Sequence, residues 1–482
     1  MDKYNLIIPC CGEGRRFMQA GYDLYKPALP FRGKPMLHHV IDAFPKETQV
    51  WIITDAIHIE ILRELLSPYE DIHFISITAH KNGPAWSIAE AAGQLPQHEA
   101  CFIAYNDVWW RWNFEDLEDF IEQNTPDGIV FTHKGFHPHL YRDNFSAFCK
   151  TAGHKLIAIK EKASFTNDWM NEAVSTGVYY VADSSLLFDL LQQMINNDSR
   201  VAGEFYPSII FNDILAHAKS VFTFETRAFV HLGTPGQYED ALRWDNIRRQ
   251  QNQPHSYPTL IMMCGTGSRM KSIATVNKAG IAVGKTEMFR FVASRMASDN
   301  TIFLVNRHTL PLLKQRDSHI DIGEQTETQT ESLKKALPHL DTTQGLLVCS
   351  NDCYGFFDTE LLGQCTAFDM VVFGFKPGLM HRKQQNAHSG FSVSGNCVRA
   401  IHYKDCLNAD YGFAGMYLFP DLKVLQVLNT IDCHEMGSVD NMADYLLKKN
   451  YRLGYIVLTD YVHLGTPEEF GEFLFWQNVQ YE

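Results

Sequence analysis

What the chain lacks narrows its function before any motif is considered. Its 482 residues carry 42 Lys and Arg against 56 Asp and Glu, a formal net charge of −14. There is no basic excess of the kind by which proteins coat nucleic acid or anionic membrane, so no nucleic-acid partner is expected. Small anionic substrates are a different matter, because a few local Arg and Lys side chains suffice for them. No apolar run reaches the ~18 residues that a spanning helix needs, so membrane insertion is not expected. The opening MDKYNLIIPC has no basic stretch leading into an apolar segment and a small-residue cleavage site, which argues against a secretory signal. The cysteines lack metal-like pairing: Cys10 and Cys11 are adjacent, Cys349 and Cys353 have no second pair, and Cys101 and Cys149 stand singly. Reduced thiols in a cytoplasmic protein are the expectation. The 21 histidines form no HExxH-like cluster, and no zinc spacing is visible.

What is present is an internal repeat. Hydrophobic residues make up 45% of the chain, enough for two or three domains each with its own core. NLIIPCCGEGRRFM near the start is an apolar strand running into a glycine-rich loop, and TLIMMCGTGSRMK near the middle has the same design. Further pairs follow in order. Arg16 matches Arg269 and Lys26 matches Lys278. AYNDVWW with Asp107 matches CSNDCYG with Asp352, and LIAIKEK with Lys162 matches VRAIHYK with Lys404. STGVYYVAD matches GFAGMYLFPD, and FVHLGTPGQYEDAL matches YVHLGTPEEFGEFL. The offset falls from 253 at Arg16/Arg269 to 232 at His231/His463, as duplication followed by small deletions requires. The boundary is expected near Arg248–Pro258, in the polar, Pro-containing RRQQNQPHSYP, giving domains 1–248 and 257–482.

Within the first copy, strands are expected at Leu6–Pro9, Val50–Thr54, Ile72–Ile77, Cys101–Ala104 and Gly128–Thr132. Helices are expected at Met36–Phe44, opened by Pro35, at Ile57–Leu66 and at Ala85–Leu95. Strand–helix alternation implies a mostly parallel sheet covered on both faces, with ligands at the carboxyl ends of the strands. The loop at Gly12 and Asp107 both follow strands directly, so they can converge on one cleft.

A G-x-G loop alone is a weak signal, shared with dinucleotide-binding domains. Here Phe17 stands where a third glycine would be, Arg16 follows Gly14 closely, and Lys26-Pro27 comes ten residues after Arg16. Backbone N–H groups at Gly12 and Gly14 can approach phosphate oxygens while Arg and Lys neutralise their charge. That suits a triphosphate whose pyrophosphate leaves. Several residues admit competing roles: Asp107 as a helix N-cap before WWRWNFEDL, Lys162 as a solvated strand-end lysine, and Trp86, Trp109, Trp110 and Trp112 as core packing rather than a substrate wall.

The segment IIPCCGEGRRFMQAGYDLYKPALPFRGKPMLHHVID resembles the opening of the sugar-phosphate nucleotidyltransferases, and the likeness extends over residues 1–245. The resemblance implies an α/β fold, two tandem Rossmann-like nucleotidyltransferase domains, each a mostly parallel (mixed) sheet flanked by helices. It implies that Gly12 and Gly14 hold the nucleotide phosphates, Arg16 binds the departing pyrophosphate, and Lys26 bridges the α-phosphate. Asp107 would hold Mg²⁺, Gly83 of NGPAWS would lie against the nucleobase, and Glu161 and Lys162 would contact the sugar and its phosphate. The partners implied are an NTP and a small phosphorylated substrate; a homo-oligomer is compatible with the sequence.

Two departures stand out. Family members often place a second metal-binding Asp just before the late Gly-Thr, whereas here His231 precedes Gly233 and His463 occupies the same setting in the second copy. Imidazole is a poorer Mg²⁺ ligand than carboxylate. One aspartate suffices, or another carboxylate such as Asp213 moves in, or activity is altered. The second copy keeps Gly265, Gly267, Arg269, Lys278, Asp352 and Lys404 but has Thr328 in place of Gly83 and Tyr403 in place of Glu161. It is expected to be degenerate. Other readings are a non-catalytic nucleotide-sugar sensor or scaffold and a GT-A-like glycosyltransferase. The latter needs a carboxylate-rich metal motif where only Asn106-Asp107 and Asn351-Asp352 appear.

Overall fold

The computed structural model describes residues 4–12, 14–142, 145–341, 343–384 and 388–480. By internal contacts it divides into residues 1–245 with 475–482, and residues 246–474.

In the first unit, Asn5–Pro9 is buried along its whole length, which is why its run of aliphatic residues lies at the centre of a sheet. It pairs in parallel with Gln49–Thr54 on one side and Cys101–Ala104 on the other. The full order is Ile72–Ser76, Gln49–Thr54, Asn5–Pro9, Cys101–Ala104, Ala173–Val181, Gly128–His133, Val221–Glu225, Lys155–Glu161, Ala147–Ala152. Ala173–Val181 runs antiparallel to both of its neighbours, so the sheet is mixed, with a parallel part that carries the glycine loop. Helices Met36–Asp42, Ile59–Leu65 and Pro84–Ala91 lie in the connections between the parallel strands. Asp55 Oδ1 accepts the N–H groups of Ile57 and His58, so that turn occupies two residues of the expected helix and the helix begins later. Pro35 stands one position earlier than expected, as the residue capping Met36–Asp42.

The second unit repeats this order strand for strand: His319–Asp321, Thr301–Val305, Thr259–Met262, Leu346–Ser350, Tyr411–Phe419, Met370–Phe375, Leu453–Val457, Cys397–His402, Gly390–Ser394. Backbone detail repeats as well. Gly14 and Gly267 take φ of 62° and 63°, and Lys162 and Lys404 both take φ of 53°, a left-handed conformation uncommon for lysine. Tandem duplication explains this equivalence of topology and local strain.

A small two-stranded ribbon in each unit brings late residues to the main site. Val108–Arg111 pairs antiparallel with Ala228–His231, setting His231 opposite Val108, and Leu232 N–H donates to Asp107 O at 2.9 Å. In the second unit Cys353 lies opposite His463, and Leu464 N–H donates to Asp352 O at 2.6 Å. Residues far apart in sequence thereby flank one aspartate. Among the described residues, no helix is long and apolar enough to cross a membrane.

Candidate active site

The first-copy site forms where Asn5–Pro9 and Cys101–Ala104 end. Lys26 Nζ donates to Asp107 Oδ2 at 2.5 Å. Burial opposes ionisation of Asp107, but the Lys26 ammonium, its hydrogen bond, and the charges of His231 and Arg16 outweigh it and hold the carboxyl below its usual range. Asp107 is therefore an anion at neutral pH and its side chain keeps 24% of its exposure. It does not cap the helix Phe114–Asn124, since Asn113 does so by accepting the Glu115 N–H. Asn106 Nδ2 donates to Pro9 O at 2.9 Å and ties the strand carrying Asp107 to the glycine loop. Gly14 is left-handed, and a Cβ on it would come within 3.7 Å of Lys26 Cβ. Loop and lysine are thus adjacent.

The neighbouring thiols take no nucleophilic role. Burial pushes both Cys10 and Cys11 up to about 12, leaving them protonated. His231 stands against the rings of Phe229 and Phe145, with Nε2 3.3 Å from Ser146 Oγ. Asp213 is exposed on the helix Ile210–Ala216, where the charge that bears on it is that of His217; the charges that bear on Asp107 are those of Lys26, His231 and Arg16. A residue that sequence reasoning missed lies closer. A Cβ at Gly233 would sit 3.0 Å from Asp107 Oδ2 and 3.7 Å from Gln237 Oε1, so the carboxylate and the amide oxygen of buried Gln237 both border this glycine. Oxygen donors of this kind fit Mg²⁺: Asp107 would hold the ion, with Gln237 nearby and substrate phosphates completing it.

Glu161 and Lys162 end the strand Lys155–Glu161. Ser208 Oγ donates to Glu161 Oε2 at 2.5 Å, and Lys162 Nζ donates to Tyr206 OH at 2.5 Å. Burial raises Glu161 to about 6, against the lowering effects of Ser208 and Lys162. Tyr206 and Ser208 carry no sequence motif. They belong to a connection that also holds the NGPAWS loop: Phe205 N–H donates to Asn82 O at 2.7 Å, Ala85 N–H to Phe205 O at 3.1 Å, and Arg200 to Asn82 Oδ1 at 3.1 Å. Gly83 has φ of 92°, and a Cβ there would come 2.6 Å from Phe205 O. Chain packing alone demands glycine at this position. Trp109 and Trp110 are buried, and Trp112 stacks edge-on with Phe44 and Phe131, so these rings build core. Trp86 lies against Phe205.

The second copy keeps the ion pair, Lys278 Nζ to Asp352 Oδ2 at 2.6 Å, but closes over it. The Asp352 side chain retains 5% of its exposure, and His463 Nε2 lies 3.6 Å from it. A Cβ at Gly465 would collide with Asp352 Oδ2. Burial opposes the charge, yet Lys278, His463 and Arg269 hold the carboxyl well below its usual range. Thr328, in place of Gly83, caps the helix Gln329–Ala336 and donates to Cys433 O at 2.9 Å, so its side chain is committed to packing.

Residues 6–164 match the model of the MobA-like NTP transferase domain. The chain is 26% identical over 226 residues to the bifunctional protein GlmU of Stenotrophomonas maltophilia, covering 45% of each chain. It is 24% identical over 237 residues to GlmU of Bacillus velezensis, covering 48% of each. The chain thus spans about half the length of the curated relatives it matches. A nucleoside-diphosphate-sugar pyrophosphorylase from Vibrio cholerae aligns at 19% identity and a TM-score of 0.42, covering 49% of this chain and 99% of its own. An inositol-1-phosphate CTP transferase from T. maritima aligns at 12% identity and a TM-score of 0.40, covering 49% and 91%. Residues 6–164 are thus similar to an NTP transferase domain, and about half of the chain is similar to part of GlmU.

Proposed function

We propose that the first copy transfers a nucleotidyl group from an NTP to a phosphorylated sugar or a similar small phosphate, releasing pyrophosphate. The acceptor phosphate oxygen attacks the α-phosphorus, the bond from that phosphorus to the bridging oxygen breaks, and pyrophosphate departs with the electron pair. The nucleophile is already an anion, so no side chain need remove a proton. Alignment and charge neutralisation are what the reaction asks of the protein. Arg16 neutralises the departing pyrophosphate, Lys26 the α-phosphate, and the N–H groups at Gly12 and Gly14 hold phosphate oxygens. Asp107 would hold Mg²⁺, whose chemistry when bound is to offset phosphate charge. Glu161 accepts a hydroxyl of the acceptor, Lys162 meets its phosphate, and the loop at Gly83 borders the base.

The observation that carries this reading is the Lys26–Asp107 pair beside the glycine loop, charged, partly open, and flanked by Arg16. The test incubates the protein with Mg²⁺, each NTP and a panel of sugar phosphates while pyrophosphate is measured. Release with at least one pair, lost in Asp107→Asn, supports the reading. NTP binding without release from any pair contradicts it and favours a nucleotide-sugar sensor.

The covered Asp352 and the packed Thr328 support a second copy, residues 257–482, that does not turn over, beside a catalytic copy of residues 1–248. Nucleotide-sugar supply for polysaccharide synthesis in the cytoplasm is the proposed setting.

A further inference from the structure

We propose that the second copy binds a structural transition-metal ion, with Zn²⁺ as the type, through His381, His388 and Glu469. Nitrogen or oxygen atoms of these three side chains lie within 4.8 Å of one another, and all three residues are buried. They come from separate elements: the helix Leu379–Lys383, the approach to the strand Gly390–Ser394, and the first turn of the helix Pro467–Gln480. Nothing in their sequence spacing joins them, which is why no zinc pattern was legible.

The donor set is selective. Two imidazoles and one carboxylate suit Zn²⁺ and its neighbours in the first transition row, whereas Mg²⁺ prefers oxygen and keeps its water. Glu469 is already placed as a ligand. Its Oε1 lies 2.7 Å from His388 Nε2, while Oε2 accepts Thr466 Oγ1 at 2.8 Å and pairs with His463 Nδ1. Outer partners that fix the oxygen facing away from the ion are what an ordered metal carboxylate needs. Burial opposes its charge, but His463 and His388 hold Glu469 well below the usual carboxylate range.

A second observation points to the same place. Gln384, 8% exposed, has its Nε2 3.5 Å from Thr466 Oγ1, and its Oε1 is buried with no hydrogen-bond partner among the described residues. An orphaned buried carbonyl oxygen costs stability unless something electropositive meets it. A cation between the imidazoles and Glu469 is such a partner. His381 must re-seat, since its Nδ1 here accepts the Gly378 N–H at 3.1 Å. Turning the ring frees one nitrogen for the ion while the other carries the proton.

The first copy shows that the fold does not require this cluster. The register of equivalent strands places Ser146 where His388 stands, and the shared VHLGTP segment places Gln237 where Glu469 stands. His139, the counterpart of His381, pairs instead with Asp240 at 3.3 Å. The ligand set therefore belongs to the second copy, where it pins the segment after Met370–Phe375 to the late Gly-Thr-Pro turn. An ion there replaces catalytic plasticity with rigidity, and the site stands whether or not the first copy turns over.

The test strips the full chain with a chelator, then titrates it with Co²⁺ as a spectroscopic probe and with Zn²⁺ in competition. The expected result is one tight Co²⁺ per chain with visible d–d absorption, displaced by Zn²⁺ and not by millimolar Mg²⁺. His388→Ser and Glu469→Gln install the first copy's residues. Each should weaken Co²⁺ by more than the ~100-fold that loss of an outer partner costs. Asp107→Asn should bind as wild type does. Zn²⁺ should raise the melting temperature of wild type and of Asp107→Asn but of neither ligand variant. Circular dichroism confirms that each variant is folded. Absence of a tight equivalent in wild type overturns the proposal, as does uptake that survives both ligand substitutions. In that event the cluster is a hydrogen-bonded relay only.

Discussion

At the scale of single residues, the site rests on a lysine and an aspartate that hold each other charged. Asp107 remains ionised in a buried setting because Lys26 stands against it, and each would be costly without the other. Lys26→Ala is expected to lower kcat by roughly 10²–10³-fold, the scale of losing one preorganised charged donor, with a smaller change in NTP KM. Steady-state pyrophosphate release measures both. Glu161 gives a pH signature. Its pKa is raised to about 6, so the native state binds the proton more tightly than the unfolded chain does. The cost of burying the ionised group is absent below the unfolded pKa of ~4.3 and complete above the folded value. A protonated Glu161 accepts a hydroxyl more weakly than the carboxylate does, so acceptor KM should rise as pH falls through 6, and Glu161→Gln should flatten that limb. An unchanged profile in Glu161→Gln contradicts the role given to it. Arg16, Lys26 and Asp107 stand out in the sequence because their chemistry shows in local spacing. Gln237, Tyr206 and Ser208 do not, since long-range packing brings common residue types to the site without any motif.

At the scale of elements, the connection from Arg200 to Ser208 joins the two substrate sides. It hydrogen-bonds the NGPAWS loop through Asn82 and Ala85 and reaches Glu161 and Lys162 through Ser208 and Tyr206. Gly83→Ala combines a left-handed φ with a clash against Phe205 O, and should cost about 1–3 kcal/mol of stability. Because the displaced connection serves both sides, KM should rise for NTP and acceptor together; denaturant unfolding and kinetics test the two halves of this statement. The segment THKGFHPHL, whose Thr132 ends an expected strand, holds buried imidazoles. Burial lowers His133 to about 4, and burial with its neighbouring histidines holds His137 well below the usual imidazole range. Their folded values lie below the unfolded ~6.5, so the stability tied to neutral rings is full above that pH and is lost as pH falls toward 4. The melting temperature should therefore drop between pH 6.5 and 4.5, and less so in His137→Phe, which keeps a ring beside Phe229. An equal drop in both proteins contradicts this account. Strand positions were legible because buried parallel strands are short apolar runs. Helix starts shifted where turns such as that at Asp55 took residues from them.

At the scale of the whole molecule, two nine-stranded sheets of the same order arose from one ancestral unit and diverged at the site. The repeat was readable because duplicated glycine loops and VHLGTP segments keep their order. Burial around each aspartate was not readable, since it depends on how closely Gly465 and His463 settle on Asp352. Identical motifs thus predict similar sites, while packing separates an open carboxylate from a covered one. Arg269→Ala should leave turnover within about twofold of wild type, as expected of a surface change away from the working site, whereas Arg16→Ala should lose most of it. The most direct measurement of the central claim is pyrophosphate release, with the best NTP and sugar-phosphate pair, by wild type, Asp107→Asn and Asp352→Asn. Turnover abolished by the first substitution and retained in the second is the predicted result. Turnover that survives Asp107→Asn, or that is abolished by Asp352→Asn in a folded protein, would contradict it.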